Sequence, residues 1–185
     1  MNTDNIFFDV SKLKYLGKNV IIGKTVRIRK PELVEIGDGS IIDDFTYISA
    51  GLKVGKYCHI AAGVNISGGG GSVRLGDYVA IAAGCSIHAA SSGYKSASLD
   101  YPSIPEGIRF GGIIDDVNME DFVLLGAHSI VLPGVQLPEG FASGAKTVIR
   151  FRQYDSWTLY TGDDARVVCK RDRRRINELI ENGLL

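Results

Sequence analysis

The chain has 185 residues, and its 21 Lys and Arg balance 21 Asp and Glu to a formal charge of zero. That length fits one domain, and the lack of net basic charge argues against a protein whose main task is to coat nucleic acid. No apolar run approaches the roughly 18 residues of a bilayer span, MNTDNIFFDVSKLK lacks the order of a secretory signal, and three cysteines without paired spacing point to a reducing, cytoplasmic compartment.

In chain order, VSKLKYLG (residues 10–17) reads as a short helix with Val10, Leu13 and Leu16 on one face, inside an N-terminal cap over 1–18. A repeat then takes over. Every sixth residue from Ile36 is aliphatic: Ile42, Ile48, Val54, Ile60, Ile66, then after a slip Leu75, Ile81 and Ile87. The series returns at Met119, Leu125, Val131 and Leu137, breaks at Ser143 and ends at Ile149. Ile, Leu, Val and Met together are 51 of 185 residues, too few for such a run to arise by chance. Four places after most of these aliphatics stands a small or moderate residue, among them Ser40, Thr46, Cys58, Val64, Val79, Cys85, Val123, Ser129 and Val135.

A six-residue strand rises near 20 Å, so three of them close a triangular coil. The aliphatic then points inward, the residue four places on fills the coil centre, and Gly or Asn relaxes the corners. Stacked coils bury a continuous aliphatic column. The pattern predicts an all-β fold, a left-handed parallel β-helix over 19–150.

Three places break the period: two extra residues near 34–36, three extra beside Gly68–Gly71, and the long segment HAASSGYKSASLDYPSIPEGIRFGG over 88–112. A loop of that length in a compact domain is usually functional, and its Pro102, IPEG turn and aromatics predict an ordered arm. The glycine cluster lacks the Lys-Ser/Thr of a phosphate-binding P-loop and reads as a sheet corner. Residues 151–185 form a C-terminal segment whose tail, RDRRRINELIENGLL, predicts a capping helix with Ile176, Leu179 and Ile180 on one face. Its KRDRRR run reads as a solvated helix face pairing with Glu178 and Glu181.

Taken with LGAHSIVLPGVQLPEGFASGAKTVI and WTLYTG, the hexads and their exposed loop resemble the maltose/galactoside/xenobiotic acetyltransferase group of hexapeptide acyltransferases over nearly all the chain. VEIGDGSIIDDFTYISAG, VGKYCHIAAGVNISGGG and PSIPEGIR look most like the bacterial surface-polysaccharide subset, which acetylates nucleotide-linked amino sugars or lipopolysaccharide hydroxyls. The resemblance implies a cytoplasmic homotrimer, with acetyl-CoA in the groove between neighbouring β-helices and the long loop over a sugar or nucleotide-sugar acceptor. It implies no metal, no nucleic acid and no membrane insertion.

Acyl transfer from a thioester needs a base near the acceptor and a donor for the oxyanion. His59 ends the hexad VGKYCH at an outward-facing corner and is the first candidate base; this subset has a His in a similar setting. His88, where the loop departs, is the second. Where galactoside and xenobiotic enzymes carry their catalytic His, this chain has Ser92, and acids those enzymes use nearby are replaced by Gly68 or Gly69. A relocated base tilts the reading towards amines, which are partly neutral near pH 7–8. His128 reads as a solvated turn residue. The resemblance makes Asn65, Ser91, Ser92 and Tyr94 acceptor contacts. It puts Gly126, Ala127, Ser143, Gly144 and Ala145 on the coenzyme wall, where backbone N–H groups bind the pantetheine arm. Lys146, Arg150 and Arg166 are its candidate phosphate partners. The family's Gly-x-Pro-Ala-Lys stretch is here Gly162, Asp163, Asp164, Ala165 and Arg166. Cys58 and Cys85 read as buried packing residues.

Two other readings compete. A γ-type carbonic anhydrase would need three histidines on one zinc, but here they leave the coil in different directions. A trimeric scaffold without coenzyme binding would account for the absent loop histidine and the altered Gly-Asp-Asp-Ala-Arg stretch.

Overall fold

A computed structural model describes residues 5–95 and 97–185. Three flat parallel sheets wind around one another, each taking one strand from every coil. The first sheet begins at Tyr15–Leu16, the second at Ile21–Ile22 and the third at Arg27–Ile28. Each contributes one strand to every one of six complete coils, and Thr158–Thr161 opens a seventh on the second sheet. Every hexad position from Ile36 to Ile149, Ser143 included, is at most 4 % exposed. The small residues named four places on are buried as well, Cys58 and Cys85 among them, and burial pushes the Cys58 thiol up to about 11. Ser143 interrupts the aliphatic series without leaving an orphan. Its hydroxyl accepts from the Gly126 N–H at 3.1 Å and bonds Ser129 Oγ at 3.2 Å.

The corners are fixed by two devices the hexad count does not reveal. At the first corner, carboxylates cap backbone N–H groups of an adjacent coil: Asp38 accepts from Lys18, Asp77 from Lys56 and Asp121 from Asp77, at 2.7–2.8 Å. The next position of that corner takes positive φ, and where it carries an aromatic ring the ring stacks on those of other coils. Tyr57 lies 5.5 Å from Tyr78, Tyr78 5.1 Å from Phe122, and Phe122 5.8 Å from Trp157. Such offset pairs contribute about 0.5–1.5 kcal/mol each beyond area burial, which offsets the backbone strain.

Both ends differ from expectation. The helix expected over 10–17 is one 3-10 turn, Val10–Lys12, capped by Asp9, and Tyr15–Leu16 already form the first strand. Leu16, Ile22 and Ile28 carry the hexad series backwards, so sheet pairing with Glu35 and Ile36 overrides the helical spacing. At the other end, a helix does form over Arg174–Glu181, but it buries no residue and does not cover the coils. The last coil is closed instead by an antiparallel pair, Thr158–Thr161 with Arg166–Lys170, and by Phe141, Tyr154 and Tyr160 packed at 5.1–5.2 Å. Arg175 does pair with Glu178, at 2.8 Å.

All three breaks in the period fall at one corner, where the third sheet hands over to the first. The extra residues before Val34 form the 3-10 turn Pro31–Leu33, the glycine cluster precedes Ser72–Leu75, and the long segment leaves after Ser86–His88. A regular coil thus carries all its irregularity along one edge.

Candidate active site

The long segment is an ordered arm. Ala90–Ser91 pair antiparallel with Ile113–Ile114 at its root, and Leu99 and Phe110 exchange backbone hydrogen bonds of 3.0 Å further out. Its tip is a 3-10 turn, Glu106–Ile108, tied by Arg109, whose guanidinium donates to Ile104 O at 2.7 Å and Pro102 O at 3.3 Å.

Between this arm and the irregular edge lies a cleft of about 890 Å³, within the range of small-molecule sites. Gly68, Gly69 and Gly70 keep its floor low, and Ser49, Ser67 and Tyr47 rise from the third sheet. A Cβ at Gly68 would press on the Ala50 and Ala89 methyls, so that position favours glycine. Arg29 and Lys30 stand at one side, both exposed and neither in an ion pair among the described residues. Asp100, on the arm, also lines the cleft, and its Oδ1 is buried with no hydrogen-bond partner among the described residues. A buried carboxylate oxygen left without a donor is costly, so the cleft is suited to a cation or a strong donor beside Asp100 and to an anion beside Arg29 and Lys30.

The expected site residues distribute unevenly around this cleft. Ser91 and Ser92 line it. Asn65 is half-buried on the third sheet, its Oδ1 without a partner among the described residues, and Tyr94 is 89 % exposed near the start of the arm. His88 stands at the root of the arm, half-buried, with Nδ1 2.8 Å from Ser67 Oγ, and burial lowers its pKa below the usual histidine range. His59 lies elsewhere, on the second sheet between Ile41 and Ala80, with Nε2 2.8 Å from Asp43 Oδ2. His128 is an exposed turn residue with φ 58°. Gly126 and Gly144, with Ala127 and Ala145 beside them, sit on consecutive coils where the second sheet turns towards the third; Lys146 follows there at φ 56°. Ser143 turns its hydroxyl inward, leaving only backbone to the outer wall. Arg150 and Arg166 are exposed. Sequence reasoning missed Asp100, Arg29 and Lys30. Only their proximity in the fold marks them, although the break beside Pro31 pointed to the right edge.

A β-helix with one ordered arm over a cleft is the architecture expected of the hexapeptide acyltransferases, and the comparisons agree on the family. Residues 34–68 match the bacterial transferase hexapeptide family (six repeats). A dTDP-4-amino-4,6-dideoxy-D-glucose acyltransferase of Escherichia coli is 30 % identical over 177 residues, covering 92 % of this chain and 89 % of that protein. The structure of AntD, an N-acyltransferase from Bacillus cereus in complex with dTDP and 3-hydroxybutyryl-CoA, superposes with a TM-score of 0.86 at 31 % identity, covering 97 % of both chains. A serine-to-cysteine variant of AntD with dTDP-4-amino-4,6-dideoxyglucose and coenzyme A gives 0.83 at 30 % identity, again over 97 % of both. The chain belongs to the hexapeptide-repeat family of nucleotide-amino-sugar acyltransferases, with its left-handed β-helix fold. It is an acyl-CoA-dependent enzyme, and its amino-sugar relatives refine the wider maltose/galactoside resemblance. Among the described residues, no group of three or more His, Cys, Asp or Glu is placed to hold a metal, and no helix is long and apolar enough to cross a membrane.

Proposed function

We propose that the protein transfers an acyl group from acyl-CoA to the amino group of a nucleotide-linked amino sugar, in the cytoplasmic synthesis of surface polysaccharide. The unpartnered Asp100 oxygen carries this reading. A sugar ammonium supplies the charged donor that Asp100 lacks, whereas a neutral hydroxyl supplies a weaker one. Arg29 and Lys30, free of carboxylate partners among the described residues, complement the diphosphate of the same substrate. The relatives' names add support: one is an acyltransferase of a dTDP-linked 4-amino sugar, another an N-acyltransferase with dTDP bound.

The working form is a homotrimer, with the coenzyme between neighbouring β-helices along the outer wall at Gly126, Ala127, Gly144 and Ala145. Lys146, Arg150 and Arg166 are exposed towards its phosphates. Of the two candidate histidines, His88 reaches the cleft lining through its hydrogen bond with Ser67, and His59 does not.

The test compares thiol release from acetyl-CoA with dTDP-4-amino-4,6-dideoxyglucose and with dTDP-glucose as acceptors. Turnover of the amino sugar alone is expected. In Asp100→Asn, kcat/KM for that sugar should fall about 10–100-fold, the value of a charge-assisted hydrogen bond, while KM for acetyl-CoA stays unchanged. Equal turnover of both acceptors, or an Asp100→Asn enzyme as active as the wild type, would refute it.

A further inference from the structure

On the third sheet, the outward row nearest the cleft runs Arg29, Ser49, Ser67 and His88 on successive coils. The register sets this order: Ile28 pairs with Ile48, Ile48 with Ile66, and Ser67 with His88. The first three side chains line the cleft, and His88 lies one coil beyond, under the root of the arm. Its imidazole meets the cleft only through Ser67, whose Oγ is 2.8 Å from Nδ1 and is the ring's one hydrogen-bond partner among the described residues. A solvated corner histidine needs no such placement. A hydroxyl between the cleft and a half-buried imidazole is a proton path of two atoms.

We infer that Ser67 and His88 form a relay that takes the proton from the acceptor amine, with Ser67 touching the substrate and His88 acting through it. The inference rests on the acyltransfer reading. The bound ammonium gives one proton to Ser67 Oγ while the Ser67 proton passes to His88 Nδ1, leaving a neutral amine and an imidazolium. The amine nitrogen attacks the thioester carbonyl and the C–N bond forms. The C–S bond then breaks, and the second nitrogen proton leaves with the sulfur as coenzyme A thiol. His88 returns its proton to water, so one ammonium and one thioester give one amide, one thiol and one proton.

This path requires the neutral His88 to carry its hydrogen on Nε2 and to present Nδ1 as acceptor. Burial favours the neutral ring. The charged groups on the elements packed against it are Arg29 at the far end of its row, Arg150 two coils on in the other direction, and Asp115, whose N–H donates to Ala89 O at 3.0 Å. None forms an ion pair with His88 among the described residues.

Two measurements on the full chain decide the matter. Nitrogen-edited NMR of the histidine rings should show neutral His88 as the Nε2–H tautomer, with the Nδ1 shift moving in Ser67→Ala. An Nδ1–H tautomer would overturn the relay whether or not an acceptor is known. In the thiol-release assay, His88→Gln and Ser67→Ala should each lower kcat about 100-fold, abolish the acidic limb of its pH profile, and leave KM for acetyl-CoA unchanged. The double variant should be no slower than either single one, because the two act as a unit. An intact acidic limb in His88→Gln, or losses that multiply in the double variant, would overturn it. A wild-type enzyme inactive on every nucleotide amino sugar would overturn the acyltransfer reading instead, and the tautomer would still judge the pair.

Discussion

His59 Nε2 and Asp43 Oδ2 lie 2.8 Å apart on adjacent coils of the second sheet, with the side chains about half exposed, at 51 % and 43 %. Spacing within the hexad makes His59 an attractive base, and a carboxylate on the far ring nitrogen is how many catalytic histidines are oriented. The cleft, however, opens where the third sheet meets the first, and its lining residues come from that edge and from the arm. Within one chain, His59–Asp43 is therefore a surface pair, worth about 0–1 kcal/mol.

One variant separates the two histidines. His59→Ala is expected to keep kcat within about threefold of wild type, against the roughly 100-fold loss expected of His88→Gln. Steady-state kinetics with the amino-sugar acceptor measures both. A hundredfold loss in His59→Ala, with KM for acetyl-CoA unchanged, would instead mean that a neighbouring copy delivers the His59–Asp43 pair to this cleft.

The core was legible in the sequence because a coil repeats one environment. Each aliphatic from Ile36 to Ile149 meets the same inward geometry, so a period of six suffices to find it. The edge where the coils turn irregular was legible too, as three breaks in that period. What the period could not show is which side chains converge across those breaks. Asp100 reaches the cleft because the arm folds back on the Leu99–Phe110 bridge, and Arg29 belongs to it because its row climbs two coils to Ser67. Both relationships are long-range, with no counterpart in local spacing. The ends misled for a related reason. VSKLKYLG has helical spacing, yet Leu16 gains more by continuing the aliphatic column, and sheet pairing decides.

The aromatic stack at the first corner sets a test of how the coils are held. Gly140 has φ +68°, and a Cβ there would stand inside contact distance of the Trp157 ring, which leans over it towards Phe122. Gly63 has nearly the same backbone, φ +71°, with nothing within 4 Å of its Cβ position. Both alanine variants carry the left-handed strain of about 1 kcal/mol, but only Gly140→Ala adds overpacking of about 1–3 kcal/mol. Chemical denaturation should therefore rank Gly140→Ala clearly below Gly63→Ala. Equal midpoints would show that Trp157 moves aside freely and that the stack contributes little.

The half-buried His88 also predicts how stability responds to acid. Burial lowers its pKa in the folded protein, whereas the unfolded chain keeps the ordinary value near 6.5. Below that value the unfolded state binds the proton more readily than the folded state, so this group contributes a loss of stability as pH falls. The loss begins near pH 6.5 and levels off once pH passes the lowered folded value. In His88→Gln this contribution is absent. The melting temperature of wild type relative to the variant should accordingly be lower at pH 5 than at pH 7.5, and the difference should be modest because the ring is only half-buried. The comparison within one pair of proteins cancels the carboxylates common to both, such as Asp172, whose Arg174 partner holds it down to about 2. A difference that stays constant between the two pH values would mean that His88 charges as readily in the folded protein as in the unfolded chain. The ring would then be a solvated one, without the burial that favours its neutral form.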